Sequence, residues 1–160
     1  MFQVIEFLAW SDELCIDHDA IDEQHRELIT LTNRVHQATL YDHDVWGRRD
    51  AFARLRAHTE RHFRFEEALL QDIGWADLPA HRAQHDALLD RLYDLEERSL
   101  ANPRLTMDDT FVELFNGWVT EHIRNADSDL RETFQAARAH AVGAHSSAVN
   151  PVLVVTRRSE

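Results

Sequence analysis

The stretch HTERHFRFEE, residues 58–67, spaces His62 and Glu66 four positions apart. In an α-helix, side chains with this spacing project from one face, one turn from each other. Apolar residues recur on the same face, so the pattern predicts a helix from about Gly47 to Gln71 that turns both polar groups towards its buried side. The predicted inward stripe of this helix is Leu55, Thr59, His62, Glu66, Leu69 and Ile73.

Three further helical patterns accompany this one, over about residues 19–40, 79–100 and 106–139. Only four glycines and three prolines interrupt the chain, which favours long helices over many strands. Four helices joined by short loops predict an all-α fold, an up-down-up-down antiparallel four-helix bundle with an N-terminal arm that contains Trp10. Their predicted stripes are Ile21, His25, Leu28, Thr32 and Val35, then His81, His85, Leu88, Leu92 and Leu95, then Phe111, Phe115, Trp118 and His122.

The length of 160 residues fits one domain, which we expect to span residues 1–139. The sequence then becomes rich in small residues, and residues 140–160 are predicted to form a C-terminal extension. We expect this extension to be partly disordered. The alternative is that Pro151 to Val155, a short apolar run, packs on the bundle or pairs with another chain.

Charge and composition bear on the binding partners and the cellular location of the protein. A formal net charge of −12 offers no basic surface for nucleic acid and disfavours an anionic membrane. No apolar run is long enough to span a bilayer. The start, MFQVIEFLAW, lacks a basic n-region and carries Glu6, so we expect no signal peptide. The single cysteine, Cys15, cannot form an internal disulfide, and we expect a cytoplasmic protein.

Eleven histidines are many for this length, and five of them fall on the inward stripes with two carboxylates beside them. Burying such groups without strong partners would cost on the order of several kcal/mol each, whereas a shared metal site satisfies them all. Seven donors exceed the needs of one ion and fit two, with the carboxylates as bridges. Iron, zinc, copper and manganese all accept such ligands. The seven predicted donors are His25, His62, Glu66, His81, His85, His122 and Asp127.

The spacing of the last two donors predicts an irregular helix. His122 and Asp127 are five positions apart, which a regular helix would place about 140° apart around its axis. The apolar stripe that follows Asp127, with Leu130 and Phe134, is rotated by about 100° from the stripe that precedes His122. One extra residue looped out between the two donors would restore the phase. We therefore predict a π-bulge or a similar wide turn there, a feature frequent at functional sites.

Taken in chain order, the motifs are Trp10, IDEQHRELI around His25, HFRFEE, the histidine pair of HRAQH, and WVTEHIRNAD. Together they resemble the hemerythrins, and specifically the bacterial ones, over roughly residues 8–137. No donor position departs from the family's order and separations.

This resemblance implies reversible O2 binding at a non-haem di-iron centre that an oxo or hydroxo group completes. It also implies that one iron keeps an open position for O2. The implied ligands are His81, His85 and His122 for one iron, His25 and His62 for the other, and Glu66 and Asp127 as bridges. The implied wall of the O2 pocket is Leu28, Phe63, Trp118, Val119 and Ile123.

Three functions stay open at the level of sequence. The first is an O2 carrier, store or delivery protein, and the second is an O2 or redox sensor that acts on a separate partner. The third is a di-iron oxidase or peroxidase. Ferritin-like oxidases use Glu-x-x-His pairs and mostly carboxylate ligands. No Glu-x-x-His occurs here and the predicted site is rich in histidine, so we expect no enzyme.

The remaining candidate residues are given lesser roles. His58 lies one turn before His62 and is interpreted as a core residue beside the site, with an extra ligand or a proton relay as the alternative. Cys15 is expected to have no role. The histidines predicted to lie on the surface are His18, His36, His43, His140 and His145.

Overall fold

The computed structural model describes residues 7–41, 45–102 and 115–146. Within these ranges the chain forms long helices and no strand. Helix α2 packs against both α1 and α3. The π segment and α4 follow each other directly and together form the fourth helix, so the predicted four-helix bundle is confirmed. No helix in the described ranges is long and apolar enough to cross a membrane. The elements are a short 3-10 turn (Asp12–Leu14), α1 (Asp19–Tyr41), α2 (Val45–Asp72), α3 (Leu78–Ala101), the π segment (Asn116–Ala126) and α4 (Ser128–Ser146).

Two apolar clusters fill the interior, one on each side of a polar layer. Along α1, Ile21 belongs to one cluster and Leu28 to the other, with His25 between them. Helix α2 runs in the opposite direction, so Leu55 of the second cluster comes before its polar residues and Leu70 of the first cluster follows them. The polar layer is therefore enclosed by apolar packing along the bundle axis.

The turn between α2 and α3 depends on Gly74, whose φ of 67° lies in the left-handed region that favours glycine. The Gly74 N–H donates to the Gln71 carbonyl (3.1 Å), and the Trp75 N–H donates to the Leu70 carbonyl (3.0 Å). These two bonds form a Schellman motif, which ends a helix at a glycine. Pro79 lies in the first turn of α3, as the sequence predicts.

The helix that carries His122 is π-helical over Asn116–Ala126. The Asp127 N–H donates to the His122 carbonyl at 3.1 Å, so this bond spans five residues instead of four. A turn closed in this way brings positions i and i+5 towards the same side of the helix. The predicted wide turn is confirmed, and it is longer than the single looped-out residue that we expected. Beyond it Leu130 and Phe134 are buried, in the predicted phase.

The N-terminal arm is held against α1 by hydrogen bonds to Asn33 and by ring stacking on His36. Asn33 Oδ1 accepts the N–H groups of Phe7 (3.1 Å) and Leu8 (2.9 Å), and its Nδ2 donates to the Leu8 carbonyl (2.8 Å). The ring of His36 stacks on Phe7 with 4.6 Å between the ring centres. Phe7 and Trp10 also pack against the larger of the two apolar clusters, the one that contains Leu28 and Leu55. The arm therefore covers part of the core.

Three sequence-based details are wrong. Ile73 does not point inward but lies in the turn, 39% exposed, because the Schellman motif at Gly74 ends the helix before the stripe reaches it. His18 and His36 are half-buried and not on the surface. His36 contacts the arm, and the ring centre of His18 lies 4.9 Å from that of Phe134. Both contacts join segments that are distant in sequence, so helical periodicity does not reveal them.

Helix α4 continues to Ser146, beyond the predicted end near Ala139. No proline occurs between Ala139 and Ser146, so no residue there lacks the backbone N–H that a helix requires. The predicted start of the fourth helix near Thr106 lies outside the described residues. Also outside the described part are Phe111, His43, Pro151 to Val155 and the side chains of His140 and His145.

Candidate metal centre

All seven predicted donor side chains converge in the polar layer between the two apolar clusters. Six of them are at most 3% exposed, and the side chain of His122 is 8% exposed. The i, i+4 pairs on α2 and α3 point into the bundle, and the π turn brings Asp127 to the side of His122. The donors are His25 on α1, His62 and Glu66 on α2, His81 and His85 on α3, His122 in the π segment, and Asp127 directly after it.

The donor atoms form two groups, in each of which they all lie within 4.8 Å of one another. The first group contains only histidines, and its His85 Nε2 and His122 Nε2 lie 3.1 Å apart. Two ring nitrogens this close leave room for a cation between their lone pairs and the nearby carboxylates. The groups are His81, His85 and His122, and separately His25, His62, Glu66 and Asp127.

The Asp127 carboxylate faces both groups. Its Oδ2 lies 3.1 Å from His25 Nε2, and its Oδ1 lies 3.4 Å from His122 Nε2. One oxygen is thus directed to each group, which is the arrangement of a bridging carboxylate.

The two carboxylate oxygens of Glu66 also face different histidine groups. Its Oε2 lies 3.8 Å from His62 Nε2 in one group. Its Oε1 lies 2.5 Å from His81 Nε2 and 3.7 Å from His85 Nε2 in the other. Both carboxylates therefore connect the two histidine groups.

Side chains outside the donor groups fix the orientation of two donor rings. His62 Nδ1 lies 3.0 Å from Gln24 Oε1, and His85 Nδ1 lies 2.8 Å from Glu67 Oε1. An Nδ1–H that donates to an oxygen leaves the Nε2 lone pair for a metal. The sequence analysis did not identify Gln24 or Glu67. The available signal was that each stands directly beside a donor in the chain, in QH and in EE.

His58 is a neighbour of this network and lies outside both donor groups. Its Nε2 is 3.0 Å from the Gln24 carbonyl oxygen, and its Nδ1 is 3.0 Å from a terminal guanidinium nitrogen of Arg61. Since the arginine can only donate, the ring must donate through Nε2 to the carbonyl. His58 therefore supports the backbone of Gln24, and its two ring nitrogens are both used. Cys15 also lies outside both groups, with its Sγ 3.2 Å from Asp22 Oδ2.

Burial governs protonation in the metal-free cluster. Burial lowers the pKa of His62 well below its usual value, and burial together with neighbouring histidines lowers the pKa of His85 to about 2. Both rings are therefore neutral near pH 7, which is the form that binds metals. Burial and the Asp127 carboxylate raise the pKa of Glu66 to about 7. Burial opposes ionisation of Asp127 as well, but the surrounding histidines, His122 first, outweigh it and lower its pKa.

Several buried donor atoms have no hydrogen-bond partner of acceptable geometry. They are both ring nitrogens of His25, Nε2 of His62, Oε2 of Glu66 and both carboxylate oxygens of Asp127. Leaving such an atom unpaired costs about 1–3 kcal/mol, so these atoms are rarely orphaned in a folded protein. All of them belong to His25, His62, Glu66 and Asp127, the second donor group, and Nδ1 of His25 is the one that we do not assign to a metal. The residues present therefore fit bound metal ions.

The predicted O2-pocket residues are placed in part. Leu28, Phe63 and Ile123 are buried in the larger apolar cluster. The ring of Phe63 stacks on His85, with 3.7 Å between ring centres and an angle of 4° between their planes. The side chains of Trp118 and Val119 lie outside the described part of the structure.

Known proteins resemble this chain in sequence. The family model for the hemerythrin HHE cation-binding domain matches residues 17–133. The chain is 30% identical over 142 residues to a bacteriohemerythrin of Stenotrophomonas maltophilia (strain R551-3), an alignment that covers 85% of this chain and 90% of that one. It is 24% identical over 124 residues to a bacteriohemerythrin of Clostridium acetobutylicum, covering 76% and 96%.

The fold agrees with these similarities. A crystal structure of a hemerythrin point mutant matches with a TM-score of 0.70 at 22% identity, over 80% of this chain and 97% of that chain. The stretch matched by the family model includes all seven donor positions, from His25 to Asp127. The chain belongs to the hemerythrin family, whose members are non-haem iron proteins.

Proposed function

We propose that this protein binds O2 reversibly at a centre of two non-haem iron ions, as an oxygen carrier, store or delivery protein. The proposal rests on the orientation of the Glu66 and Asp127 carboxylates. In each of them, one oxygen faces one histidine group and the other oxygen faces the other group. One ion would leave half of these oxygens without a partner. Two neighbouring ions that share both carboxylates use all of them.

The two groups would hold their ions differently. With the carboxylates shared, the three-histidine group offers one more donor than the two-histidine group. The second ion would therefore have one protein ligand fewer, which would leave a position for a small ligand, and an oxo or hydroxo group would complete the bridge. Bound iron would supply the electrons that O2 takes up on binding and returns on release. The proposed ligands are His81, His85 and His122 for one ion, His25 and His62 for the other, and Glu66 and Asp127 for both.

The protein's own contribution is to keep the site dry. Leu28, Phe63 and Ile123 are each at most 3% exposed and stand in the apolar cluster beside the donors. An apolar wall excludes water and stray protons, so that O2 leaves as O2 and not as a reduced product. We assign Trp118 and Val119 to the same wall from their sequence positions.

A donor set of five histidines and two carboxylates favours a binding protein over a carboxylate-rich oxidase, and we propose no enzymatic role. A sensor that acts on a separate partner would use the same ligand chemistry. We also propose residues 1–139 as the functional domain and a cytoplasmic location, on the sequence grounds given above.

The test is an optical titration of protein loaded anaerobically with ferrous iron. We expect about two irons per chain and a visible band that develops with O2 and vanishes on degassing. Asp127→Asn should lose iron. Asp22→Asn is the matched control, because Asp22 is also buried but bonds the Ile16 N–H (2.8 Å) outside both groups, so this variant should keep its iron. A band that decays to a form that degassing does not reverse contradicts the carrier function.

A further inference from the structure

The Nδ1 atom of the donor histidine His85 contacts a carboxylate that is itself paired with an arginine. Glu67 Oε1 accepts from His85 Nδ1 (2.8 Å), and Glu67 Oε2 accepts from Arg82 Nε (3.1 Å). Arg82 is anchored in turn, since its terminal nitrogen donates to Gln71 Oε1 at 2.9 Å. Both oxygens of Glu67 are therefore engaged, and the carboxylate is fixed in one orientation.

Among the described residues, no carboxylate accepts a hydrogen bond from Nδ1 of His62 or of His25. His62 Nδ1 lies 3.0 Å from the amide oxygen of Gln24, a neutral acceptor. A carboxylate that accepts the Nδ1–H of a ligand histidine raises the basicity of the ring more than an amide does. The two rings thus have different partners at Nδ1, a carboxylate for His85 and an amide for His62.

We propose that Glu67 and Arg82 set the reduction potential of the ion held by the three-histidine group. This inference rests on the proposed function. In a redox titration the mediator would take one electron from the bound ferrous ion, which would gain one positive charge, while the proton would stay on Nδ1 of His85. A more basic ring stabilises the ferric ion more than the ferrous ion. Glu67 therefore lowers the potential, and Arg82, by neutralising part of the carboxylate charge, raises it again.

The two members of the pair act in opposite directions, which separates this role from a structural one. Glu67 acts through His85 and is a positioning residue. Replacing Glu67 by glutamine keeps the size of the side chain, and the Arg82 side chain is 44% exposed, so neither change removes much packing. Loss of structure at the site would instead move both variants in the same direction.

The experiment is a mediated redox titration of the iron-loaded protein without O2, followed by its absorption spectrum. Glu67→Gln keeps an oxygen that can accept from His85 and removes the charge. It should lower the ferric-to-ferrous ratio at a fixed potential by about tenfold, which corresponds to a rise of about 59 mV for a one-electron couple. Arg82→Gln should shift the ratio the other way, by a smaller factor because water screens the exposed guanidinium.

Two further variants complete the design. Arg54→Gln removes the same charge from an exposed pair with Asp50, remote from the donors, and should leave the potential unchanged. Gln24→Glu places a carboxylate behind His62 and should lower the potential of the other ion.

The outcomes distinguish this inference from the proposed function. Opposite shifts for Glu67→Gln and Arg82→Gln support the inference. Shifts in the same direction, or a Glu67→Gln protein that titrates at the wild-type potential with its iron in place, overturn the inference alone. A wild-type protein that takes up no iron overturns both.

Discussion

Replacing Gly74 by alanine should weaken the bundle by a predictable amount. Gly74 has a φ of 67°, where an alanine costs about 1–2 kcal/mol. The new methyl group would meet no heavy atom within 4 Å, so steric clash adds nothing. Alanine also restricts the unfolded chain, which returns about 0.5 kcal/mol. The net loss is about 1 kcal/mol, equivalent to roughly 2–4 °C in the melting temperature of a domain of this size.

Gly117 provides the matched control. It lies in the π segment, and a methyl group there would meet only Glu121 Oε2 at 3.9 Å, an ordinary contact. Gly117→Ala should therefore leave stability unchanged or raise it by up to about 1 kcal/mol, because alanine loses less backbone freedom on folding. The same substitution is therefore expected to lower stability at Gly74 but not at Gly117.

The assay is thermal and urea unfolding of the iron-free proteins, followed by far-UV circular dichroism. The turn at Gly74 also sets where α3 begins, and the ring of Trp75, the next residue, meets the His81 ring edge-on at 5.6 Å. Iron content should nevertheless stay at the wild-type level, because the strain is confined to the turn. Equal unfolding midpoints for Gly74→Ala and wild type, or an equal loss for Gly117→Ala, would refute the reasoning.

Three further results are expected. Phe63→Leu removes the ring stacked on His85 and should cost about 1–2 kcal/mol while speeding autoxidation, measured as decay of the oxygenated band; an unchanged decay rate contradicts the pocket assignment. Asn33→Ala removes three hydrogen bonds and should release Phe7 from α1, seen as faster proteolysis of the arm at constant iron content; unchanged cleavage contradicts it. Burial lowers the pKa of His36 below its ordinary value of 6.5, so unfolding takes up a proton and the free energy of unfolding decreases as the pH falls below 6.5. His36→Gln should make urea midpoints depend less steeply on pH in this range. An unchanged pH dependence would exclude His36 as its source.

The common face of each donor pair could be predicted from sequence because the spacing within one helix is local. The i, i+4 spacing of His62 and Glu66 fixes their common face once the helix is identified, whatever the helix packs against. The five-residue step from His122 to Asp127 is informative for the opposite reason. It conflicts with a regular helix, and the π segment resolves that conflict.

The supporting contacts could not be predicted, because they join different helices. Gln24 on α1 meets His62 on α2, and Glu67 on α2 meets His85 on α3. Such contacts depend on the relative rotation and height of two helices, which the periodicity of either one leaves undetermined. The burial of His36 has the same origin, since its partner is the N-terminal arm.

The position of the polar layer bears on how the protein acquires its metal. The unpaired donor atoms weaken the middle of the bundle, whereas the apolar clusters on either side hold the helices in register. The iron-free protein should therefore fold with its donors already facing one another. The proposed iron binding would then add stability by mass action, about 2.7 kcal/mol when free iron exceeds its dissociation constant a hundredfold. Since the donors come from all four helices of the bundle, bound ions would cross-link the helices where apolar packing is absent.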